Sequence, residues 1–145
     1  MDRSQQAAEA RLVAASHARA VSDFARGIVG STSSAASAGE RIREARRLRM
    51  LSLQHLNFTV RAEFLRGTPW SEIAAALGRD EDAVRAEFEA GTLQWAEEMS
   101  QDPKRAERSI AEAEDLDAWY QSHAVEFLDP AEEAPVTRLF SHPER

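Results

Sequence analysis

The stretch TPWSEIAAALGRDEDAVRAEF, residues 68–88, decides how this chain folds. Thr68 can cap free helix amides, and Pro69 suits a first helical position, where its missing N–H costs nothing. Trp70, Ile73, Ala74 and Leu77 recur at three- and four-residue spacing and form one apolar face. Ala74 is small enough to admit a crossing helix. Gly78 permits the positive φ that stops a helix sharply. Asp80 can then cap a second helix, with Glu81 and Asp82 in its first turn beside the positive end of the helix dipole. Ala83, Val84 and Phe88 are spaced to face back onto the first helix. The expected unit, residues 69–91, is two short helices crossed around Ala74 and Gly78.

Working outward, the 145 residues are 43% hydrophobic and 30% charged, the balance of an ordinary soluble protein of about one domain. Ala, Glu, Arg and Leu dominate, and their side chains lose little freedom on a helix. The fold class expected is all-α, with five or six helices. Upstream, residues 40–67 run without Gly or Pro before Gly67 and carry two apolar faces. One is Leu48, Leu51, His55, Phe58, Ala62 and Leu65; the other is Leu53, Leu56, Val60 and Phe64. A helix apolar on most sides is expected to be buried on most sides, as the central helix or against a second copy.

Farther upstream, residues 4–27 predict a helix with an apolar stripe of Val13, His17, Ala20, Val21, Phe24 and Ile28. Residues 30–39, GSTSSAASAG, read as a flexible linker or as a loop whose serines cap the next helix. Downstream, helical character continues through residues 92–99 until Asp102-Pro103 interrupts it. Residues 109–128 predict a further helix with Ile110, Ala113, Leu116, Trp119, Tyr120, Val125 and Phe127 as its apolar contacts. Asp129-Pro130 would end it, and the tail reads as extended, with Val136, Leu139 and Phe140 able to dock. The organisation expected is an N-terminal helix (1–30), a central region (40–101) and an acidic C-terminal region (104–145).

Trp70, Glu72, Ile73, Ala74, Ala76, Leu77 and Gly78, with Ala83, Val84 and Phe88 at packing positions, resemble the helix-turn-helix of bacterial transcription regulators. The likeness is to the actinobacterial, sigma-region-4-like kind, and covers about twenty residues. It implies that the second helix enters the major groove of double-stranded DNA with its N-terminal side chains near the bases. Asp80, Glu81, Asp82, Arg85, Ala86 and Glu89 would then face the groove. Arg85 could grip guanine and Glu81 could accept from cytosine. Two departures stand out. From residue 80 to 89 there are five acidic residues and one basic, and Arg79 replaces the apolar residue usual after the turn glycine.

Phosphate neutralisation supplies most DNA affinity, so an acidic reading helix needs help from elsewhere. Arg41, Arg43, Arg46, Arg47 and Arg49 form a basic cluster able to hold phosphates, with Arg61, Arg66 and Arg79 as further candidates. The chain's net charge of −7 is divided unevenly: residues 1–79 carry +5 and residues 80–145 carry −12. The arginines could therefore instead pair with the acidic half. Two functions follow: a DNA-binding transcriptional regulator, as a homodimer through the long or the N-terminal helix, or a degenerate helix-turn-helix whose acidic surface binds a basic protein.

An enzyme is not expected. There is no cysteine, hence no disulfide, thiolate nucleophile or thiolate metal site. No phosphate-binding glycine loop, serine elbow or HExxH is present, and no cofactor or metal is predicted. Of the four histidines, His17, His55, His123 and His142, His55 sits on an apolar stripe and reads as a packing residue. His123 and Glu126 share a helical spacing found in di-metal sites but lack further carboxylates at matching positions. The charged N-terminus does not resemble a signal peptide and no window is apolar enough for a membrane helix, so a reducing cytoplasm is the expected compartment.

Overall fold

The structure, a computed structural model, describes residues 1–141. Among these residues it is all-α, with six helices: α1 (Arg3–Gly30), α2 (Ala38–Arg66), α3 (Trp70–Leu77), α4 (Glu81–Ser100), α5 (Arg105–His123) and α6 (Arg138–Ser141). His142 lies outside the described residues.

The two longest helices begin with reciprocal caps. The Asp2 carboxylate accepts from the Gln5 amide while the Gln5 side chain accepts from the Asp2 amide, and Ser37 and Glu40 do the same for α2. Residues 31–37 are thus a capping loop between helices. α1 and α2 then lie antiparallel as a long hairpin. Arg3 lies over Phe64, Arg11 pairs with Glu63, His17 meets Phe58 and Arg47 lies over Phe24. The Nδ1 of His55 is 2.8 Å from the Ala14 carbonyl, so His55 serves packing at the hairpin seam.

Three small cores lie at the base of this hairpin. Ala7, Ala10, Ala62, Leu65 and Ala96 bring α1, α2 and α4 together, and their short side chains permit the close approach. Val60, Trp70, Ile73, Ala74 and Val84 join α2 to α3 and α4, with Phe64 stacked on Trp70 at 4.7 Å. Leu12, Ala113 and Leu116 join α1 to α5, with Val136 and Phe140 of the tail packed against them. α5 runs parallel to α1. Glu9 accepts from Arg105 (3.0 Å) and Ser109 (2.6 Å), Ser16 donates to Glu112, and Trp119 donates to Asp23.

Several expectations are corrected. The α1 stripe starting at Val13 is only half-buried; the buried residues are Ala7, Ala10, Leu12 and Ala14, nearer the N-terminus. That half is enclosed by α2, α4 and α5, whereas the later stripe meets fewer neighbours. The second face of α2 is not buried throughout. Val60 is covered, but Leu53 and Leu56 are exposed, because no element among the described residues lies over that part of the helix. The helix expected over residues 109–128 is α5, four residues earlier at its start and five shorter at its end. The Asp129 carboxylate accepts from the Val125 amide (2.7 Å) in a turn that holds Phe127 at φ 70°, so Val125 and Phe127 are exposed.

Among the described residues the tail is not simply extended: it includes the short α6. The buried Asp117 carboxylate accepts from the Val136 and Thr137 amides and the Thr137 hydroxyl (2.7, 3.1 and 2.6 Å). This ties the tail down where Val136 and Phe140 pack. No helix among the described residues is long and apolar enough to cross a membrane.

Candidate functional site

The α3–α4 unit is built much as its sequence requires. Gly78 adopts φ 65°, and its amide donates to the carbonyls of Ala74 and Ala75, closing α3. Asp80 caps α4 by accepting from the Ala83 amide at 3.0 Å. Val84 is fully buried against Ile73 and Ala74, and Phe88 flanks them.

Three local details differ from expectation. Pro69 is the capping residue rather than the first helical one, and Thr68 caps nothing; its hydroxyl donates to Glu63 at 2.9 Å. Ala83 faces solvent. The second helix is not short, since α4 passes through Gly91 unbroken to Ser100, where Thr92, Ala96 and Met99 are buried.

The outward side of the unit is an acidic lip. Asp80, Glu81 and Asp82 are all exposed. The two arginines beside them are engaged: Arg79 pairs with Glu87 at 2.6 Å, and Arg85 donates to Glu89 at 2.5 Å. The hydrogen bond to Glu89, its charge, and the charges of Glu81 and Asp82 raise the Arg85 guanidinium's already high pKa. The Arg85 guanidinium is thus turned along its own helix toward Glu89.

The basic cluster lies elsewhere. Arg41 donates to the Ser34 carbonyl at 2.5 Å, Arg43 folds back beside Gly39, and Arg47 stacks on Phe24. Among the described residues, Arg41, Arg43, Arg46, Arg47 and Arg49 enter no ion pair within 4.0 Å with the acidic half or any other segment. Arg43, Arg46, Arg47 and Arg49 line an open surface with Met50 and Leu53.

The further candidates are occupied. Arg61 lies over Phe58 at 4.8 Å with its pKa lowered by burial, and Arg66 pairs with Glu63. Arg46 and Arg49 of the cluster share one side of α2 with the α3–α4 unit, whereas Arg47 turns to Phe24 of α1. Residues 42, 46, 49, 53, 56, 60 and 64 follow one another at three or four positions, a single helical row, and the unit sits on Val60 and Phe64 of that row. Arg46 is about 21 Å from Val60 along the axis, at 1.5 Å per residue.

The structure therefore brings Arg79, Glu81, Asp82 and Arg85 together and sets the arginine cluster apart from them along α2, with Arg46 and Arg49 on the side that bears the unit, Arg47 turned to Phe24 of α1 and Arg41 to the Ser34 carbonyl. The Glu9–Arg105–Ser109 cluster was not anticipated, although a lone glutamate between alanines at Ala7, Ala8 and Ala10 was a signal for it. His123 and Glu126 do not share a helix, since α5 ends at His123. Among the described residues, no three His, Asp or Glu side chains are grouped to hold a metal ion. Searches of protein-family models, of curated proteins and of solved structures each found no match to this chain.

Proposed function

We propose that the α3–α4 unit is a helix-turn-helix that recognises a basic protein surface through its acidic lip, acting as an adaptor or as an antagonist of a DNA binder. The observation that carries this reading is the state of the lip. Asp80, Glu81 and Asp82 face solvent while Arg79 and Arg85 are held by Glu87 and Glu89. Such a surface opposes phosphates, whose neutralisation drives DNA binding. It favours a lysine- or arginine-rich partner, because complementary potentials steer encounter and reject like-charged surfaces. The absence of cysteine suits a reducing compartment, and the proposal places the protein in the cytoplasm.

The second reading is a DNA-binding transcriptional regulator. The observation favouring it is the basic surface of Arg43, Arg46, Arg47 and Arg49, which enter no ion pair among the described residues, with Arg46 and Arg49 on the side of α2 that bears the unit. There Arg85 would leave Glu89 to read bases while residues 41–49 held phosphates. A salt series of binding to random duplex separates the two. The adaptor reading expects no retention at low salt, together with capture of a basic protein that is lost in Glu81→Lys/Asp82→Lys. Tight duplex binding that falls steeply with salt and disappears in Arg46→Glu/Arg47→Glu would overturn it in favour of DNA.

A further inference from the structure

The side of α2 that carries the α3–α4 unit continues past it. Val60 and Phe64 are covered by Trp70, Ile73 and Val84. Along the same side toward the N-terminus, Leu56, Leu53, Met50 and Ile42 are 43%, 53%, 60% and 62% exposed. Single exposed apolar residues are ordinary on a protein surface, but four aligned on one helix mark an interaction face. The face is also polarised. Its N-terminal end carries Arg43, Arg46 and Arg49. Its other end runs into a groove walled by Leu56, Val60, Ile73 and Leu77, with Glu63 and Glu72 at the rim. Glu72 is exposed and enters no ion pair among the described residues.

We infer that this face binds a second copy of the chain, α2 against α2 in antiparallel, about a two-fold axis between Met50 and Leu53. Met50 of each copy then lies against Leu53 of the other. Arg43 and Arg46 of each copy arrive beside the other's groove, near Glu72, and Ile42 approaches the groove's apolar wall. A two-fold contact uses one patch twice, so it must be self-complementary, and a patch basic at one end and acidic at the other satisfies this only head to tail. A parallel pair would set Arg43, Arg46 and Arg49 against their own copies. A DNA duplex fits the face less well, since Ile42, Met50, Leu53 and Leu56 are interleaved with the arginines and have no role against phosphates. The inference goes beyond the acidic-lip reading and does not depend on it, because it uses Arg43, Arg46 and Glu72 rather than Asp80, Glu81 and Asp82.

The test is the mass in solution of the full chain, followed by sedimentation over a concentration series. The expected species has twice the 16.1 kDa of one chain. Leu53→Glu, at an exposed position, should give a monomer with an unchanged circular dichroism spectrum. Arg46→Glu and Glu72→Arg should each weaken association about tenfold, and the double variant Arg46→Glu/Glu72→Arg should restore it.

Since the chain has no cysteine, a mixture of Met50→Cys and Leu53→Cys chains should form the mixed disulfide more readily than Ile42→Cys forms its own. A wild-type chain that stays monomeric at every concentration overturns the inference. So does a dimer indifferent to Leu53→Glu, or a monomeric chain in which Arg46→Glu abolishes binding to random duplex. Failure of acidic-lip binding with the dimer intact overturns only the earlier reading.

Discussion

The base of the α1–α2 hairpin and its tip are built from the same two helices and are covered very differently. At the base, α4, α5, α3 and the tail close over Ala7, Leu12, Val60 and Leu65. Toward the tip, α2 keeps contact with α1 through Arg47 and Phe24 but presents Ile42, Met50 and Leu53 outward. The difference teaches that an apolar row on a helix states a demand for cover, not who supplies it. At the base this chain supplies the cover. At the tip, we have inferred, a second copy does.

Three substitutions or titrations sharpen the contrast, beginning with the largest. Glu9 is 3% exposed in the base, held by Arg105 and Ser109. Arg105→Ala leaves that carboxylate buried without its cation and should destabilise the fold by about 3–5 kcal/mol in urea denaturation. Replacing both partners, Glu9→Met with Arg105→Met, should recover most of the loss, since an apolar pair of similar volume needs no charge partner. Equal losses in the single and double variants would show that the ion pair is not what holds α5 to α1.

Next, Ile73→Ala should cost about 2–5 kcal/mol, because it opens a cavity between α2, α3 and α4. Leu53→Ala, measured on dilute monomer, should stay within about 0.5 kcal/mol, as for other surface changes. Comparable losses at the two sites would erase the distinction between covered base and open tip. The smallest effect concerns His17, midway along the hairpin. Burial first, then the nearby charge of His55, lowers its pKa from the ordinary 6.5. The neutral form is thus favoured in the fold. Its contribution is complete above the unfolded pKa of 6.5 and is lost as the pH falls through 6.5 and then the folded value. Proton NMR should place the His17 midpoint below 6.5, with melting temperature declining slightly below that pH.

Much of the α3–α4 unit was legible because its signals are local. Gly78 alone can take the left-handed turn without strain, Asp80 stands where an amide needs an acceptor, and Ile73, Ala74 and Val84 repeat at helical spacing. The acidic lip was equally legible, since three carboxylates in a first turn must face water. The pairing of Arg85 with Glu89 follows from a four-residue spacing and is legible in the sequence too. What could not be read was the distant partner of each surface. Nothing near Asp117 announces that it will hold Val136 and Thr137, nineteen and twenty residues away. The end of α5 likewise depended on the Asp129 side chain reaching back to Val125, which outweighed an apolar pattern that continued to Leu128.

By itself the sequence determined that this chain is helical, where most helices start, where α3 stops, and which side of the second motif helix is acidic. These follow from backbone hydrogen bonds and caps that form within four residues. The tertiary structure alone decided that Glu9 is buried, that the tail is tied down at Asp117, and that half of one α2 face is covered while half stands open. Those outcomes depend on which segments meet across the fold, and the packing of one helix against another is set by shape and volume at residues far apart in the chain.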